Sequence, residues 1–151
     1  MTPLAADERG SRLLEFRRDE DTGGATLTGA LVVLRSGGRV LVVFNRWRTE
    51  WELPGGTIEP AESPQAAAER ELLEESGQVP SRMQRIGTAR LRLAGSATEE
   101  ACAIFSAGIS DHRPFTPTDE IGATAWWDGS VDLPGGPLNP IDLKLISLTS
   151  E

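Results

Sequence analysis

No tyrosine occurs among the 151 residues, and cysteine, histidine and lysine occur once each, as Cys102, His112 and Lys144. One cysteine excludes an internal disulfide and any cysteine-based zinc cluster. The lone His112 is expected in a loop, neither a ligand nor a general base. No apolar run approaches the roughly 18 residues of a membrane span, and the opening MTPLAADERGSRLLEF lacks both a basic start and a long apolar stretch. A cytoplasmic chain that spans no membrane is therefore expected. The formal net charge of −8 disfavours binding to duplex DNA or RNA. Arginine is used fourteen times against the single lysine; this bias reflects genome composition more than anion recognition and is not counted as a signal.

With 38% hydrophobic and 25% charged residues, the chain suits one globular domain over 1–151 that buries an ordinary core, with extensions at 1–25 and 129–151. Thr26 to Arg35 and Arg39 to Phe44 are rich in β-branched residues and flank Ser36-Gly37-Gly38, which predicts two antiparallel strands joined by a hairpin. Arg85 to Leu93 alternates basic and apolar residues, and Glu100 to Ile109 follows the turn-like Ala94-Gly95-Ser96, giving two further strands. Ala123 to Trp127 reads as a short strand, and Ile141 to Leu148, after a Pro/Gly-rich segment, as a short helix. Mixed strands around one central helix read as an α+β fold.

That helix is the most acidic part of the chain. Ser63 as N-cap, Pro64 in the first turn and Gly77 as the stop predict a helix ending near Ser76. At 100° per residue Glu71, Glu74 and Glu75 share one arc, so the spacing points three carboxylates the same way. Ala68, Leu72 and Leu73 take the opposite arc and are expected to dock on a sheet. A like-charge pair such as Glu71 and Glu75 costs a helix roughly 0.2–0.5 kcal/mol. Arg70 can pair with Glu74, but it cannot neutralise Glu69, Glu71, Glu74 and Glu75 together. Two readings fit: a solvated acidic face, or a site for a hard divalent cation such as Mg²⁺ with oxygen ligands.

The segment from Gly56 onward resembles the signature of the Nudix hydrolases, Gly-x5-Glu-x7-Arg-Glu-U-x-Glu-Glu-x-Gly-U, with U a bulky aliphatic residue. Gly56, Glu62, Arg70, Glu71, Leu72, Glu74, Glu75 and Gly77 all match, and the approach Trp51-Glu52-Leu53-Pro54-Gly55-Gly56 is familiar in the family. The box covers about residues 56–79. Gln78 departs from the final aliphatic position, where Val79 is expected to supply the packing instead. The resemblance implies a Nudix-type α/β/α sandwich with a mixed sheet and a central catalytic helix. It implies Glu71, Glu74 and Glu75 as ligands of Mg²⁺, with Mn²⁺ the alternative ion, and the Gly55 or Gly56 carbonyl as a backbone ligand. Arg70 would anchor the helix and Glu62 would orient the loop. Glu120 resembles the position of an acid outside the box that serves as general base or extra ligand, with Asp119 and the pair Glu99-Glu100 as alternatives.

Arg46 and Arg48 are candidate donors to a terminal phosphate, and Phe44, Trp47 and Phe115 candidate stacking surfaces for a nucleobase. Trp51, Trp126 and Phe105 read as packing residues. The resemblance also narrows the substrate. The absence of tyrosine removes the diadenosine polyphosphate branch. No proline lies between Ser81 and Arg113, where the ADP-ribose branch tends to carry one, and no Ser-Gln-Pro-Trp-Pro-Phe motif of the NADH branch occurs. What remains is a Mg²⁺-dependent, MutT-like pyrophosphohydrolase that cuts a nucleoside triphosphate, with an oxidised purine as candidate base, to a monophosphate and pyrophosphate. Hydrolysis of ADP-ribose or a nucleotide sugar is the second reading, and a non-catalytic nucleotide-sensing domain the third. The expected partner is a small-molecule nucleotide, and the expected state a monomer or homodimer.

Overall fold

The structure, a computed structural model, describes residues 2–130 and 132–150. Its elements run β1 (Ala5–Ala6), β2 (Arg12–Arg17), β3 (Thr26–Ser36), β4 (Arg39–Asn45), β5 (Glu50–Glu52), β6 (Gly55–Thr57), α1 (Pro64–Ser76), β7 (Met83–Arg92), β8 (Glu100–Gly108), β9 (Ile121–Trp127) and α2 (Pro140–Leu148). Alternation along β3 sets up the layers, because successive strand side chains point to opposite faces. Ala30, Val32 and Leu34 join Ala67, Ala68 and Leu72 of α1 in one core cluster. Val33 faces the other way and joins Ile141, Leu145 and Ile146 of α2. A mixed sheet between two helices results, the α+β sandwich anticipated from the sequence.

The sheet order is β1-β2-β7-β8-β3-β4-β5, with β6 also on β3 and β9 also on β4. The hairpin forms, but β3 and β4 pair only at Arg35↔Val40 and Ser36↔Arg39 before they part. β6 takes over that edge of β3 through Gly29↔Thr57, Ala30↔Gly56 and Leu31↔Gly55, while β8 runs parallel along the opposite edge. This division of one strand edge between two partners opens the sheet beside α1. Strands β1, β2, β5 and β6 carry no pattern that the sequence reading caught. Among the described residues no helix is long and apolar enough to cross a membrane.

Helix α1 has the predicted ends. Ser63 Oγ accepts from the Ala66 N–H at 3.0 Å, and Gly77, at φ 76°, donates its N–H to the Leu73 carbonyl. A Cβ at Gly77 would also stand 2.7 Å from the Pro114 carbonyl oxygen, so both conformation and contact require glycine there. The docking face differs from expectation. Leu73 is 48% exposed, whereas Ala67, Ala68 and Leu72 are fully buried and Glu75 is 5% exposed. At 100° per residue Glu75 falls between Glu71 and Ala68, inside the buried arc, and Leu73 falls far from its centre. The three carboxylates share an arc but not an environment: Glu75 is buried at its inner edge, Glu71 is mostly covered and Glu74 is exposed at its outer edge.

Gln78, the departure from the signature, has partners of its own. Its buried amide donates to the Arg113 carbonyl (2.7 Å) and accepts from the Arg113 N–H (2.9 Å). It ties the helix exit to the loop that leads to Glu120, while Val79, expected to pack there, is 50% exposed.

Candidate active site

Gly56 lets α1 approach the sheet, and Gly55 lets β6 lie close on β3. An added Cβ on Gly56 would lie 2.7 Å from the Glu71 carboxyl carbon, and one on Gly55 would lie 2.2 Å from the Ala30 carbonyl oxygen. At Gly56 that space is taken by the Glu71 carboxylate instead. Glu75 Oε1 accepts from the Gly55 N–H at 2.7 Å. Burial pushes the Glu75 carboxyl up to about 8; the Gly55 hydrogen bond opposes this, and the nearby charges of Glu71, Glu120 and Glu52 reinforce it. Glu71 is likewise raised, first by burial, then by Glu74 and Glu120, with Arg70 pulling it back. Glu71, Glu75 and Glu120 thus crowd one region short of positive charge.

Arg70 fastens this region from outside. Its Nε and Nη2 hold the Glu62 carboxylate at 2.8 and 3.0 Å, its Nη1 reaches Glu71 at 2.7 Å, and Nη2 also donates to the Thr57 carbonyl at 3.1 Å. The paired guanidinium, with the Glu59 N–H second, brings Glu62 down to about 2. The anticipated partner Glu74 is only marginally engaged, at 3.4 Å from Nη1 with its side chain 59% exposed. Because the fork joins the 57–62 loop to α1, Arg70→Ala should lower both the melting temperature and kcat, the latter about tenfold or more. Arg70→Lys should recover only part, since lysine lacks the planar fork. Parallel melting curves and steady-state rates check this.

A cleft of about 970 Å³ runs from these acids along the opened sheet. Gly55, Gly56, Glu71, Glu120 and Arg48 line it, and Glu75 sits directly behind Gly55. Arg46, Phe44, Trp47 and Phe115 are not among its lining residues. Phe44 packs edge-on against Trp51 with ring centroids 5.3 Å apart, Trp47 is 71% exposed at a loop tip, and Phe115 is half-buried near the exit of α1. Arg46 donates its backbone N–H to the Glu120 carbonyl and lays its side chain over Gly122. Of the alternative acids, Glu99 is paired with Arg90 and Arg92, Asp119 is exposed, and Glu100 reaches the cleft while accepting from Thr28 Oγ1. His112 lies in the 109–120 loop, stacked on Trp126.

The cleft also holds a polar network that the sequence reading missed. Asn139 caps α2 by accepting from the Ile141 N–H at 2.8 Å and donates Nδ2 to Glu50 at 3.0 Å. Glu52 accepts from Asn45 and from Arg48, each at 2.9 Å, and burial is the main cause of its raised pKa. Asp142 accepts from the Leu53 N–H at 2.8 Å. Burial, with Glu52 next, pushes it up to about 8. The Asn-Pro start of a helix was the available signal, since asparagine is a preferred N-cap and proline a preferred first residue. Cys102, which also lines the cleft, is pushed up to about 12 by burial and stays a thiol.

The acid end suits a hard cation. Its donors are all oxygens, and the mutual repulsion of Glu71, Glu75 and Glu120 is relieved by a divalent charge. Among the described residues no three acidic, histidine or cysteine side chains already converge as a ligand set, so binding an ion has to draw them together.

Comparison with known proteins agrees with this geometry. A family model described as the NUDIX domain matches residues 26–139. A Bacillus subtilis (strain 168) protein provisionally named an 8-oxo-dGTP diphosphatase is 43% identical over 47 residues, 31% of this chain and 32% of its own length. A MutT-like protein of Streptomyces ambofaciens is 44% identical over 46 residues, 30% of each chain. The aligned segment thus spans about a third of the curated relatives it matches. Among solved structures, a MutT NUDIX hydrolase from Burkholderia pseudomallei superposes with a TM-score of 0.68 at 22% identity, covering 81% of this chain and 96% of that one. With the family model matching well over half of its length, the chain belongs to the NUDIX family.

Proposed function

We propose that this protein is a Mg²⁺-dependent diphosphohydrolase that converts a nucleoside triphosphate to a nucleoside monophosphate and pyrophosphate, with an oxidised purine as the candidate base. One observation carries the reading: a single cleft is lined by Glu71 of α1 and the glycines of β6 together with the apolar Leu91, Leu93 and Ile141 and the polar Asn139 and Asp142. The acid end suits phosphates bridged by a cation, and the apolar and polar lining suits a flat base with polar edges. The names of the aligned relatives, MutT-like and 8-oxo-dGTP diphosphatase, support the same substrate class.

Glu71 and Glu75 are the proposed ligands against β6, with a backbone carbonyl of Gly55 or Gly56. Glu74 joins them only by turning inward from its exposed position. The bound ion supplies charge neutralisation and an acidified water. Glu120 is placed to accept a proton, and Arg48, already on the cleft wall, to donate to phosphate oxygens. Aliphatic packing takes over from the expected aromatic stacking on the base.

The test is a substrate panel of dGTP, 8-oxo-dGTP, ATP, ADP-ribose and a sugar nucleotide with Mg²⁺, compared by kcat/KM with products followed by phosphorus NMR. Pyrophosphate and monophosphate are expected from the triphosphates, with turnover abolished by EDTA. A preference above about tenfold for ADP-ribose or the sugar nucleotide, or turnover without a divalent ion, overturns the assignment.

A further inference from the structure

The lining of the cleft includes a segment outside the matched family region, which begins at residue 26. Asp7, Arg9 and Ser11, from the turn between β1 and β2, line the cleft beside Asn139 and Asp142. This turn is held in place on several sides. Asp7 Oδ1 accepts from the N–H groups of Arg9 (3.0 Å) and Ser11 (2.9 Å). Asp7 Oδ2 accepts from Asn139 Nδ2 (3.4 Å), and Ser11 Oγ accepts from the Ala94 N–H (2.9 Å). Arg9 then crosses to β5, its Nη2 lying 2.6 Å from Glu50 Oε1 and 3.5 Å from Asp7 Oδ2.

Two features separate Arg9 from an ordinary surface ion pair. Its side chain keeps 44% exposure while lining the cleft, and its side-chain bonds among the described residues engage only Nη2. The guanidinium has five N–H donors, so those on Nε and Nη1 remain for a ligand. The surrounding groups are acidic: Asp7, Glu50, Glu52 and Asp142. Without a cation this wall would repel the carbonyl oxygens and ring nitrogens at a nucleobase edge, and Arg48, paired with Glu52, is the phosphate donor in the reading above.

We propose that Arg9 is a specificity-determining residue, reaching from the β1–β2 turn to donate hydrogen bonds to the nucleobase edge while the phosphates lie at the acid end. The proposal rests on the nucleotide reading above but does not depend on which phosphoanhydride bond is cut. It also makes the N-terminal hairpin part of the substrate site.

Titration calorimetry with AMP, GMP and ribose 5-phosphate, on wild type, Arg9→Gln and Arg9→Lys in Mg²⁺, tests it. Wild type is expected to bind both mononucleotides more tightly than ribose 5-phosphate. Arg9→Gln should weaken AMP or GMP binding about tenfold, the scale of one hydrogen bond from a charged donor, and leave ribose 5-phosphate within about twofold. Arg9→Lys keeps the charge without the fork and should fall between; it carries the test if the glutamine variant does not fold. An equal loss on all three ligands assigns Arg9 a structural role and overturns the proposal. No loss, or wild type that binds the mononucleotides no better than ribose 5-phosphate, overturns it as well. Failure of the triphosphate reading would show separately, as absent pyrophosphate release by wild type, and leaves the mononucleotide titration decisive.

Discussion

Glu75→Gln is expected to lower kcat by about two orders of magnitude or more while the metal-free protein melts no lower than wild type. The two halves of that result have one cause. Glu75 is 5% exposed, and burial raises its carboxyl to about 8, so at neutral pH the ion-free protein holds it largely protonated. Glutamine has nearly the same volume and keeps an oxygen to accept the Gly55 N–H, so it imitates that resting state. What it cannot supply is the carboxylate that a divalent ion would draw out against Glu71 and Glu120. Glu71→Gln should lose activity on a similar scale, whereas Glu74→Gln should lose clearly less, because its side chain is 59% exposed beside Arg70. Rates measured across a Mg²⁺ titration decide the order. Near-normal turnover by Glu75→Gln at saturating Mg²⁺ would remove Glu75 from the proposed ligand set.

The contrast between Glu74 and Glu75 marks how far the sequence is legible here. Helix ends are local events, set by one side chain or one φ, so Ser63 and Gly77 delimit α1 correctly from spacing alone. Which arc of the helix is buried depends on its neighbours. Leu73 looked apolar enough to dock, yet β6 brings Gly55 and Gly56 against Glu71 and Glu75 and turns Leu73 outward. β3 and β4 were visible as β-branched runs, but the early parting of the hairpin was not, because β6 competes for the same edge through pairs around Ala30↔Gly56. The polar network was hidden for a similar reason: Arg9, Glu50 and Asn139 meet across more than 80 residues of chain between the last two. Gln78 was visible only as a departure from a signature. Its two bonds to Arg113 require the fold before they mean anything.

Stability of the metal-free protein should fall as pH rises from about 5 to about 8, and Asp142→Asn should remove much of that fall. In the folded chain Asp142 is buried with its pKa raised to about 8, against an ordinary 3.8. Between those values the folded state holds a proton that the unfolded state has released. The unfolded state therefore gains relative stability as pH rises, and the effect levels off above the folded pKa. Each pKa unit corresponds to about 1.4 kcal/mol, so Asp142 alone contributes on the order of a few kcal/mol across this window. Glu75, raised in the same direction, adds to it. Asparagine keeps an oxygen for the Leu53 N–H, which Asp142 accepts at 2.8 Å, but has no proton to release. Urea unfolding in EDTA at pH 5 and pH 8.5, on wild type and the variant, is the measurement. Wild type equally stable at both values, or an unchanged pH slope in Asp142→Asn, would show that Asp142 ionises in the fold as readily as in water.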